Sequence, residues 1–296
     1  MNRTAARRLF PPVPTFALGL AAALAATLCA LPAASHPLRD PALKSSGVLV
    51  VDESDSSVLM AKHADVASPI ASITKLMTSL VVLDAKQPMD EMITVSPSDV
   101  DVGRGSVSRL SVGTTLSRAD LMHLALMSSE NRAAHALGNN YPGGLPALVA
   151  AMNAKAKALG MTSAHFVEPT GLSSDNVASP SDLSKLVVAA SQNPTIRAFS
   201  TDPSYAVRIH RRMVEFRNTD RLVQNPAWNI VVQKTGYITE AGRCLVMEAV
   251  IEGRSVVIVL LDSIGKYTRL ADATRIKRWM EASLRRGGSP AQVSMR

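Results

Sequence analysis

The chain has 296 residues, of which 47% are hydrophobic and 19% are charged, a composition that can bury the core of one or two domains. Its formal net charge of +8 favours an anionic partner such as a cell-wall polymer or a membrane surface. Only 4% of the residues are aromatic, which is too few for the stacking platforms of a nucleic-acid-binding protein, so we expect no nucleic-acid partner.

The first 35 residues have the pattern of a secretory signal peptide. Arg3, Arg7 and Arg8 form a positive segment, an alanine-rich apolar run covers residues 16–31, and small residues follow up to Ser35. We therefore predict an exported protein. An uncleaved N-terminal anchor is the alternative, although the apolar run is short for a membrane span.

The two cysteines are not predicted to form a disulfide. Cys29 lies in the predicted signal peptide, and Leu28 precedes it in place of the small residue of a lipoprotein site. Cleavage would leave Cys244 alone, in an apolar run over residues 244–247. We predict that Cys244 is a small core residue.

Strands are predicted in the first part of the domain, together with one helix. Two β-branched runs at 46–51 and 57–61 flank a polar turn and predict a hairpin. An apolar helical pattern extends over 72–83. Residues 93–95 predict a short strand, and the glycine-containing segment 102–106 predicts a flexible loop.

The middle of the chain, from residue 117 to about 193, has helical periodicity. It begins with a capping-box pattern at Ser117. A helix over 145–159 is predicted to end at Gly160, and another helix is predicted over 181–190.

The strand pattern returns near the C-terminus. Residues 230–233 predict a strand, and the runs 245–251 and 256–261 flank a polar turn and predict a hairpin. A final helix is predicted over 267–284, followed by a flexible tail over 288–296.

Strands at both ends of the chain and helices between them define the predicted architecture. We predict an α/β (α+β) fold in a domain over 36–287, with one antiparallel sheet built from both ends of the chain and flanked by helices. A helical insertion subdomain is predicted over about 85–225. The apolar face of the final helix is predicted to cover the sheet, and binding to a membrane surface is the alternative.

The segment Ser72-Ile-Thr-Lys75 places a serine and a lysine three residues apart, on one face of a helix. A serine hydroxyl is a weak nucleophile until a base takes its proton, and a lysine kept neutral by burial can be that base. This pattern should occur by chance about once in a chain of this length. Its second copy, Ser263-Ile-Gly-Lys266, is predicted to be a polar turn.

The tripeptide Lys234-Thr235-Gly236 closes a β-branched run and predicts a strand that ends there, at a sheet edge. The lysine would supply positive charge and the threonine a hydrogen bond, while the glycine would let a substrate lie against the backbone. The tripeptide should occur by chance in roughly one chain in twenty of this length, so it is the more specific signal.

Three S-x-N segments could complete this set: Ser129-Glu-Asn131, Ser174-Asp-Asn176 and Ser191-Gln-Asn193. The third precedes a proline and predicts a helix exit, and the second follows a turn and predicts a polar loop. The first falls between two helical runs, where a short turn can project two side chains into a cleft. We therefore select Ser129 and Asn131.

The ordered set S-x-x-K, S-x-N and K-T-G resembles that of β-lactamases and penicillin-binding proteins. Over about residues 40–285 the chain looks like a low-molecular-weight penicillin-binding protein of the D-alanyl-D-alanine carboxypeptidase family. Segments 125–134, 159–162, 168–172 and 217–220 are also similar to that family. The Ser-Ser-Glu-Asn form, with glutamate where many relatives carry glycine, looks most like the penicillin-binding protein 7 type DD-endopeptidases.

The resemblance implies a β-lactamase/DD-peptidase-like fold and a role for each motif residue. Ser72 would attack the peptide carbonyl and become acylated, Lys75 would act as general base, and Ser129 would relay a proton to the leaving amine. The substrate would be bound by Asn131, Lys234, Thr235 and Gly236. The oxyanion hole would be the backbone N–H groups of Ser72 and Tyr237.

The resemblance also implies a substrate, a compartment and inhibitors. The protein would be a serine DD-peptidase in the periplasm or cell envelope of a bacterium, with at most peripheral membrane association. It would cleave the bond after a D-alanine in peptidoglycan stem peptides or cross-links, with DD-endopeptidase activity slightly favoured over carboxypeptidase activity. β-Lactam antibiotics would be covalent inhibitors, and no cofactor or metal is implied.

Two other functions are compatible with the same motifs. A class A-like serine β-lactamase would need a carboxylate that activates the deacylating water. Glu168-Pro169 superficially resembles that loop but lacks the asparagine that such enzymes carry there. A non-catalytic β-lactam-binding or wall-binding module would keep the cleft and lose a motif residue, whereas all three motifs are intact.

The two S-x-x-K copies allow a matched test of the nucleophile. Ser72→Ala is expected to abolish both labelling by penicillin and cleavage of D-alanyl bonds, because no other hydroxyl would be activated. Ser263→Ala is expected to change neither. Labelling with fluorescent penicillin, read on a denaturing gel, checks both variants, and labelling that survives in Ser72→Ala would show that another residue is acylated.

Overall fold

The computed structural model describes residues 40–100, 108–286 and 293–294. The predicted signal peptide and the predicted loop over 102–106 lie outside the described residues. Within the described part, no helix is both long and apolar enough to cross a bilayer.

The elements follow one another along the chain in this way. The strands are β1 (Ser45–Asp52), β2 (Ser57–Lys62), β3 (Ser68–Pro69), β4 (Met92–Thr94), β5 (Thr115–Ser117), β6 (Val177–Ala178), β7 (Ser204–Ile209), β8 (Arg212–Arg217), β9 (Asn229–Ile238), β10 (Gly242–Ile251), β11 (Arg254–Ser263) and β12 (Val293–Ser294). The helices are α1 (Thr74–Asp84), α2 (Arg118–Met127), α3 (Asn131–Asn139), α4 (Gly144–Ala158), α5 (Pro180–Ser191), α6 (Pro194–Thr201) and α7 (Thr268–Arg285).

The main sheet has the strand order β12-β2-β1-β11-β10-β9. Strand β1, from the start of the domain, pairs antiparallel with β11, from its end, with Leu49 opposite Val259. The prediction of a sheet built from both ends of the chain is therefore confirmed. Strand β9, which carries Lys234-Thr235-Gly236, lies at one edge of this sheet.

Both faces of the central strands are buried, because alternate residues of a strand point to opposite faces. Val246 and Val259 belong to a core shared with α1 and α5. Leu245 and Ile258 belong to a second core, which includes Ile276 of α7. The sheet is thus a middle layer, with α1 and α5 on one side and α7 on the other.

The final helix packs against the sheet as predicted. Ala273, Ile276 and Met280 recur at helical spacing, are fully buried and belong to the second core. Trp279 is 7% exposed on the same face. Because the sheet covers this apolar face, the face is not free for a membrane surface.

Several local predictions are also confirmed. The capping box at Ser117 is formed, since the Asp120 amide donates to Ser117 Oγ at 3.0 Å. Gly160 ends α4 in the left-handed conformation with a φ of 69°. Cys244 is fully buried, and burial raises the pKa of its thiol to about 11. Ser263 ends β11 and is followed by a turn.

Three features differ from the prediction. Strand β9 does not end at Gly236, because Tyr237 and Ile238 continue to pair with β10. The hairpin of β7 and β8 lies inside the region predicted to be helical. In the tail over 288–296, which was predicted to be flexible, Val293–Ser294 pairs in parallel with β2. The exact limits of the helical insertion stay a prediction.

Candidate active site

Ser72 lies in a 3-10 turn, Ala71–Ile73, that leads directly into α1. Packing in the core holds the turn in place, because Ile70, Ala71 and Ile73 are fully buried. Thr74 Oγ1 donates to the Ala71 carbonyl at 2.8 Å. Ser72 is therefore held on a rigid turn, one helical turn before Lys75.

Lys75 is fully buried, and its Nζ contacts three oxygens. These are Ser72 Oγ at 2.8 Å, Asn131 Oδ1 at 2.7 Å and the Thr170 carbonyl at 2.7 Å. Burial lowers the pKa of Lys75 to about 7, against the opposing effect of two nearby glutamates. A neutral amine has two N–H groups for the amide and carbonyl oxygens, and its lone pair would then face the Ser72 hydroxyl.

The Thr170 carbonyl is presented to Lys75 by a turn that the Glu168 carboxylate organises. This carboxylate accepts from the amides of Thr170 and Gly171 at 2.7 and 2.6 Å. It also accepts from Asn176 Nδ2 at 2.9 Å. Its hydrogen-bonding capacity is thus used within its own turn.

Asn176 supports the same turn from inside the protein. Its side chain is fully buried, donates to Thr74 Oγ1 at 3.1 Å and accepts from the Val167 amide at 2.7 Å. Ser174-Asp-Asn176 is a loop, as predicted, but Asn176 is buried within it. Its burial is a tertiary effect, and the local sequence carries no signal for it.

Gly171 is required where this turn meets the Ser72 turn. Its φ is 82°, and a Cβ at this position would lie 1.8 Å from the Ala71 carbonyl oxygen. Any side chain would push the two turns apart. The contact brings the Thr170 carbonyl within reach of Lys75.

Ser129 and Asn131 lie at the short turn between α2 and α3, on the side that faces Lys75 and Lys234. Asn131 is the first residue of α3. Ser129 has a left-handed backbone with a φ of 62°, and its Oγ accepts from Lys234 Nζ at 3.0 Å. The carboxylate of Glu130, between them, accepts from Ser108 Oγ at 2.7 Å and fixes the turn to a neighbouring segment.

Lys234 is fully buried on β9, and its Nζ contacts two oxygens, Ser129 Oγ and the Thr235 carbonyl at 2.9 Å. Burial lowers its pKa well below the usual value, and the charges of Lys75 and Arg269 act in the same direction. The two lysines therefore face the same small space between α1, the α2–α3 turn and β9.

Gly236 lets the edge strand approach the Ser72 turn. A Cβ at this position would lie 2.9 Å from the Ile70 carbonyl oxygen and 3.2 Å from the Ser72 amide nitrogen. The Cβ side of Gly236 is thus occupied by the Ser72 turn. Binding of a substrate along the β9 backbone at Gly236 stays a prediction. The oxyanion hole formed by the Ser72 and Tyr237 amides stays a prediction.

Thr219 was not selected from the sequence, although it lies in the segment 217–220. Its hydroxyl is 2.6 Å from that of Thr235, and its amide donates to the Met127 carbonyl at 3.1 Å. Met127 is the last residue of α2, two residues before Ser129. Thr219 therefore connects the edge strand to the helix end that positions Ser129.

Two buried groups of opposite charge near Lys234 were also missed. Arg269, in the first turn of α7, is 8% exposed, and its Nε and Nη1 have no partner among the described residues. Asp220 is fully buried, and burial raises its pKa to about 6, although Arg269 and Lys234 oppose this. The sequence carries a faint signal for Arg269, which is a basic residue at a buried position of the amphipathic helix α7.

Solved structures with the same fold are known. The crystal structure of a Streptomyces DD-transpeptidase superposes with a TM-score of 0.76 at 27% identity, covering 81% of this chain and 98% of that one. The D-alanyl-D-alanine carboxypeptidase from Mycobacterium tuberculosis superposes with a TM-score of 0.75 at 29% identity, covering 85% and 95%. The predicted β-lactamase/DD-peptidase-like fold is confirmed.

A family model described as D-alanyl-D-alanine carboxypeptidase matches residues 33–265, and the chain belongs to this family. It is 49% identical to the D-alanyl-D-alanine endopeptidase of Pseudomonas aeruginosa over 90% of this chain and 86% of that protein. It is 44% identical to the D-alanyl-D-alanine endopeptidase of Escherichia coli over 90% and 87%. The predicted family resemblance, including its endopeptidase branch, is confirmed.

The close contact at Gly171 can be tested against an open glycine of the same conformation. Gly253 has a φ of 79°, and a Cβ added there would meet nothing within 4 Å, whereas at Gly171, with a φ of 82°, it would meet the Ala71 oxygen. Gly253→Ala is expected to lower the free energy of unfolding by about 1 kcal/mol, from backbone strain alone. Gly171→Ala is expected to cost at least about 3 kcal/mol, because a steric clash is added.

Urea unfolding followed by circular dichroism measures both variants. Equal losses of stability would show that the two turns are not in the tight contact described above.

Proposed function

We propose that this protein is a serine DD-peptidase of peptidoglycan, in which Ser72 is the nucleophile and Lys75 is the general base. One observation carries the proposal: the buried Lys75 Nζ lies 2.8 Å from Ser72 Oγ, with its other contacts made to two neutral oxygens. An amine in this setting can take the hydroxyl proton near neutral pH.

In the acylation step, Ser72 Oγ attacks the carbonyl carbon of a D-alanine and its proton moves to Lys75. The amides of Ser72 and Tyr237 stabilise the negative charge that develops on the carbonyl oxygen. When the C–N bond breaks, the leaving amine takes a proton from the Ser129 hydroxyl. Lys234 contacts that hydroxyl at 3.0 Å and favours its loss of a proton. Lys75 gives its proton to Ser129 in turn and is neutral again before deacylation.

In the deacylation step, water attacks the ester on Ser72 and gives its proton to Lys75. The C–O bond to Ser72 then breaks, and Lys75 returns the proton to Ser72 Oγ. This releases the peptide with a carboxylate at its D-alanine and regenerates both the serine and the neutral lysine. A β-lactam acylates Ser72 by the same attack, because its ring amide replaces the peptide bond. The ring-opened leaving group remains attached, which is why such compounds act as covalent inhibitors.

Substrate binding is assigned to Asn131, Lys234, Thr235 and the β9 backbone at Gly236. Asn131 orients Lys75 through its side-chain oxygen, and its side-chain nitrogen can donate to a substrate carbonyl. Lys234 and Thr235 provide charge and a hydroxyl for the carboxylate on the leaving side. Arg269 adds positive charge near Lys234. Two of its guanidinium nitrogens have no partner among the described residues.

Endopeptidase activity on cross-links is favoured over carboxypeptidase activity. The relatives at 49% and 44% identity are named endopeptidases, whereas relatives named carboxypeptidases, from Streptomyces and Mycobacterium tuberculosis, are 29% and 30% identical. An envelope location, in the periplasm if the signal peptide is cleaved, fits this substrate. Any membrane association would be peripheral.

The β-lactamase alternative finds little support in the site. Glu168 is the carboxylate that its sequence position suggested, and its oxygens already accept from five backbone or side-chain donors. It is therefore not free to activate a water. A non-catalytic binding module is disfavoured because the serine, lysine and asparagine side chains of the motifs each contact another motif side chain.

The role of Lys75 predicts the pH dependence of acylation. Only the neutral amine can accept the Ser72 proton, and its pKa is lowered to about 7 by burial. The acylation rate should therefore rise about tenfold per pH unit below about pH 6 and level off above about pH 8. Stopped-flow acylation by a fluorescent penicillin measures this profile, and a flat rate from about pH 5 to 9 would exclude Lys75 as the base.

The proposed activity is tested with purified protein and two peptidoglycan substrates, with products read by mass spectrometry. Cross-linked muropeptide dimers should be converted to monomers, and Ser72→Ala should convert none. Loss of one alanine from monomeric pentapeptide, with dimers untouched, would make the protein a carboxypeptidase. Rapid hydrolysis of penicillin with neither peptide cleaved would establish a β-lactamase.

A further inference from the structure

An exposed aromatic and basic surface lies beside the Lys234-Thr235-Gly236 strand. We call it the β9 rim and define it by Tyr237, Arg243, Tyr267, Arg221 and Lys266. The two tyrosines are 54% and 50% exposed. Neither has a role in the core, and exposed aromatic side chains that cluster in this way are typical of a binding surface.

The residues of the β9 rim form one continuous surface. Tyr237 of β9 pairs directly with Arg243 of β10, and Arg243 in turn pairs with Ser263 of β11. Tyr267 follows Ser263 by four residues, at the start of α7. The rim therefore crosses the same end of three adjacent strands.

Each tyrosine of the β9 rim has at least one cation against its ring. Arg243 Cζ lies 4.4 Å from the Tyr237 ring centroid. Arg221 Cζ and Lys266 Nζ lie 5.4 and 5.5 Å from the Tyr267 ring centroid. These contacts orient the cations without neutralising them. Within residues 40–100 and 108–286, none of the three forms an ion pair with a carboxylate.

The β9 rim begins on the leaving side of the proposed site. Thr235 and Tyr237 are two residues apart on β9, so their side chains share one face of the strand, about 7 Å apart. Gly236, between them, faces the Ser72 turn. Thr235 is assigned above to the carboxylate next to the cleaved bond, and a substrate that continues beyond that carboxylate would reach the rim.

We propose that the β9 rim binds the leaving peptide of a cross-linked substrate, an acidic peptide that extends past Thr235. A terminal D-alanine ends at its carboxylate and is too short to reach Tyr267. The leaving half of a cross-link continues as a diamino acid and further residues with free carboxylates. The three rim cations match those carboxylates, and the tyrosine rings match the aliphatic chain of the diamino acid. This inference rests on the proposed function.

The test compares a rim variant with a control that loses the same charge and one large exposed side chain away from the rim. The rim variant combines Arg243→Gln with Tyr267→Ala. The control combines Arg212→Gln with Met213→Ala on β8, where both side chains are exposed. Each variant removes one positive charge and one large exposed side chain.

The first readout is kcat/KM on two substrates. We expect the rim variant to lose at least fivefold on the cross-linked muropeptide dimer. On monomeric pentapeptide and in acylation by penicillin it should stay within twofold of the wild type. The control should stay within twofold throughout. Equal losses on dimer and pentapeptide, or no loss on the dimer, would overturn the proposal.

The second readout is the affinity for the dimer in the Ser72→Ala background, which does not depend on turnover. Adding the rim substitutions should weaken dimer binding at least fivefold and reduce its salt dependence, while pentapeptide binding stays unchanged. If the wild type failed to cleave dimers, the proposed endopeptidase activity would be wrong. Loss of dimer affinity would still support the rim in that case, and unchanged dimer affinity would refute it.

Discussion

The site depends on a lysine that is buried without a carboxylate in contact among the described residues. Lys75 Nζ is surrounded by a hydroxyl, an amide oxygen and a backbone carbonyl. Neutral oxygens satisfy its N–H groups but do not restore the lost hydration of a charge, so the pKa falls to about 7. A contacting aspartate would keep the amine protonated and remove the base. Helix α3 and the Glu168 turn supply uncharged partners instead, while Glu168 and Glu130 remain outside hydrogen-bond contact.

Two backbone segments approach the Ser72 turn so closely that a side chain at their contact residues, Gly171 and Gly236, would clash with it. Gly171 brings in the turn that carries the Thr170 carbonyl, and Gly236 brings in the edge strand. Polar contacts then fix β9 to the end of α2. Lys234 contacts Ser129, and Thr235 contacts Thr219, whose amide donates to the Met127 carbonyl at the end of α2. The sheet and the helical region are thereby connected at the site itself, and the geometry of the catalytic groups depends on backbone packing as much as on the groups themselves.

The sequence predicted what local pattern and chain order encode. The strand runs at both ends, the apolar face of α7 and the three motifs were all visible, and the motifs do converge around Lys75 and Lys234. Burial of polar residues was not visible, because Asn176 and Arg269 are enclosed by distant parts of the chain. The hairpin of β7 and β8 was missed although Tyr205, Val207 and Ile209 alternate with exposed residues along β7. Gly236 suggested a strand end, whereas it marks a close approach between backbones.

The fully enclosed thiol of Cys244 bears on how the chain tolerates an oxidising compartment. Enclosure denies it access to other thiols, and a pKa of about 11 keeps it protonated, so it is a poor partner for thiol–disulfide exchange. In the folded domain, this thiol would then need no reductant and form no mixed disulfide. The thiol is exposed to oxidation before folding, and the pairing of β10 with β9 and β11 is part of the packing that encloses it in the native state.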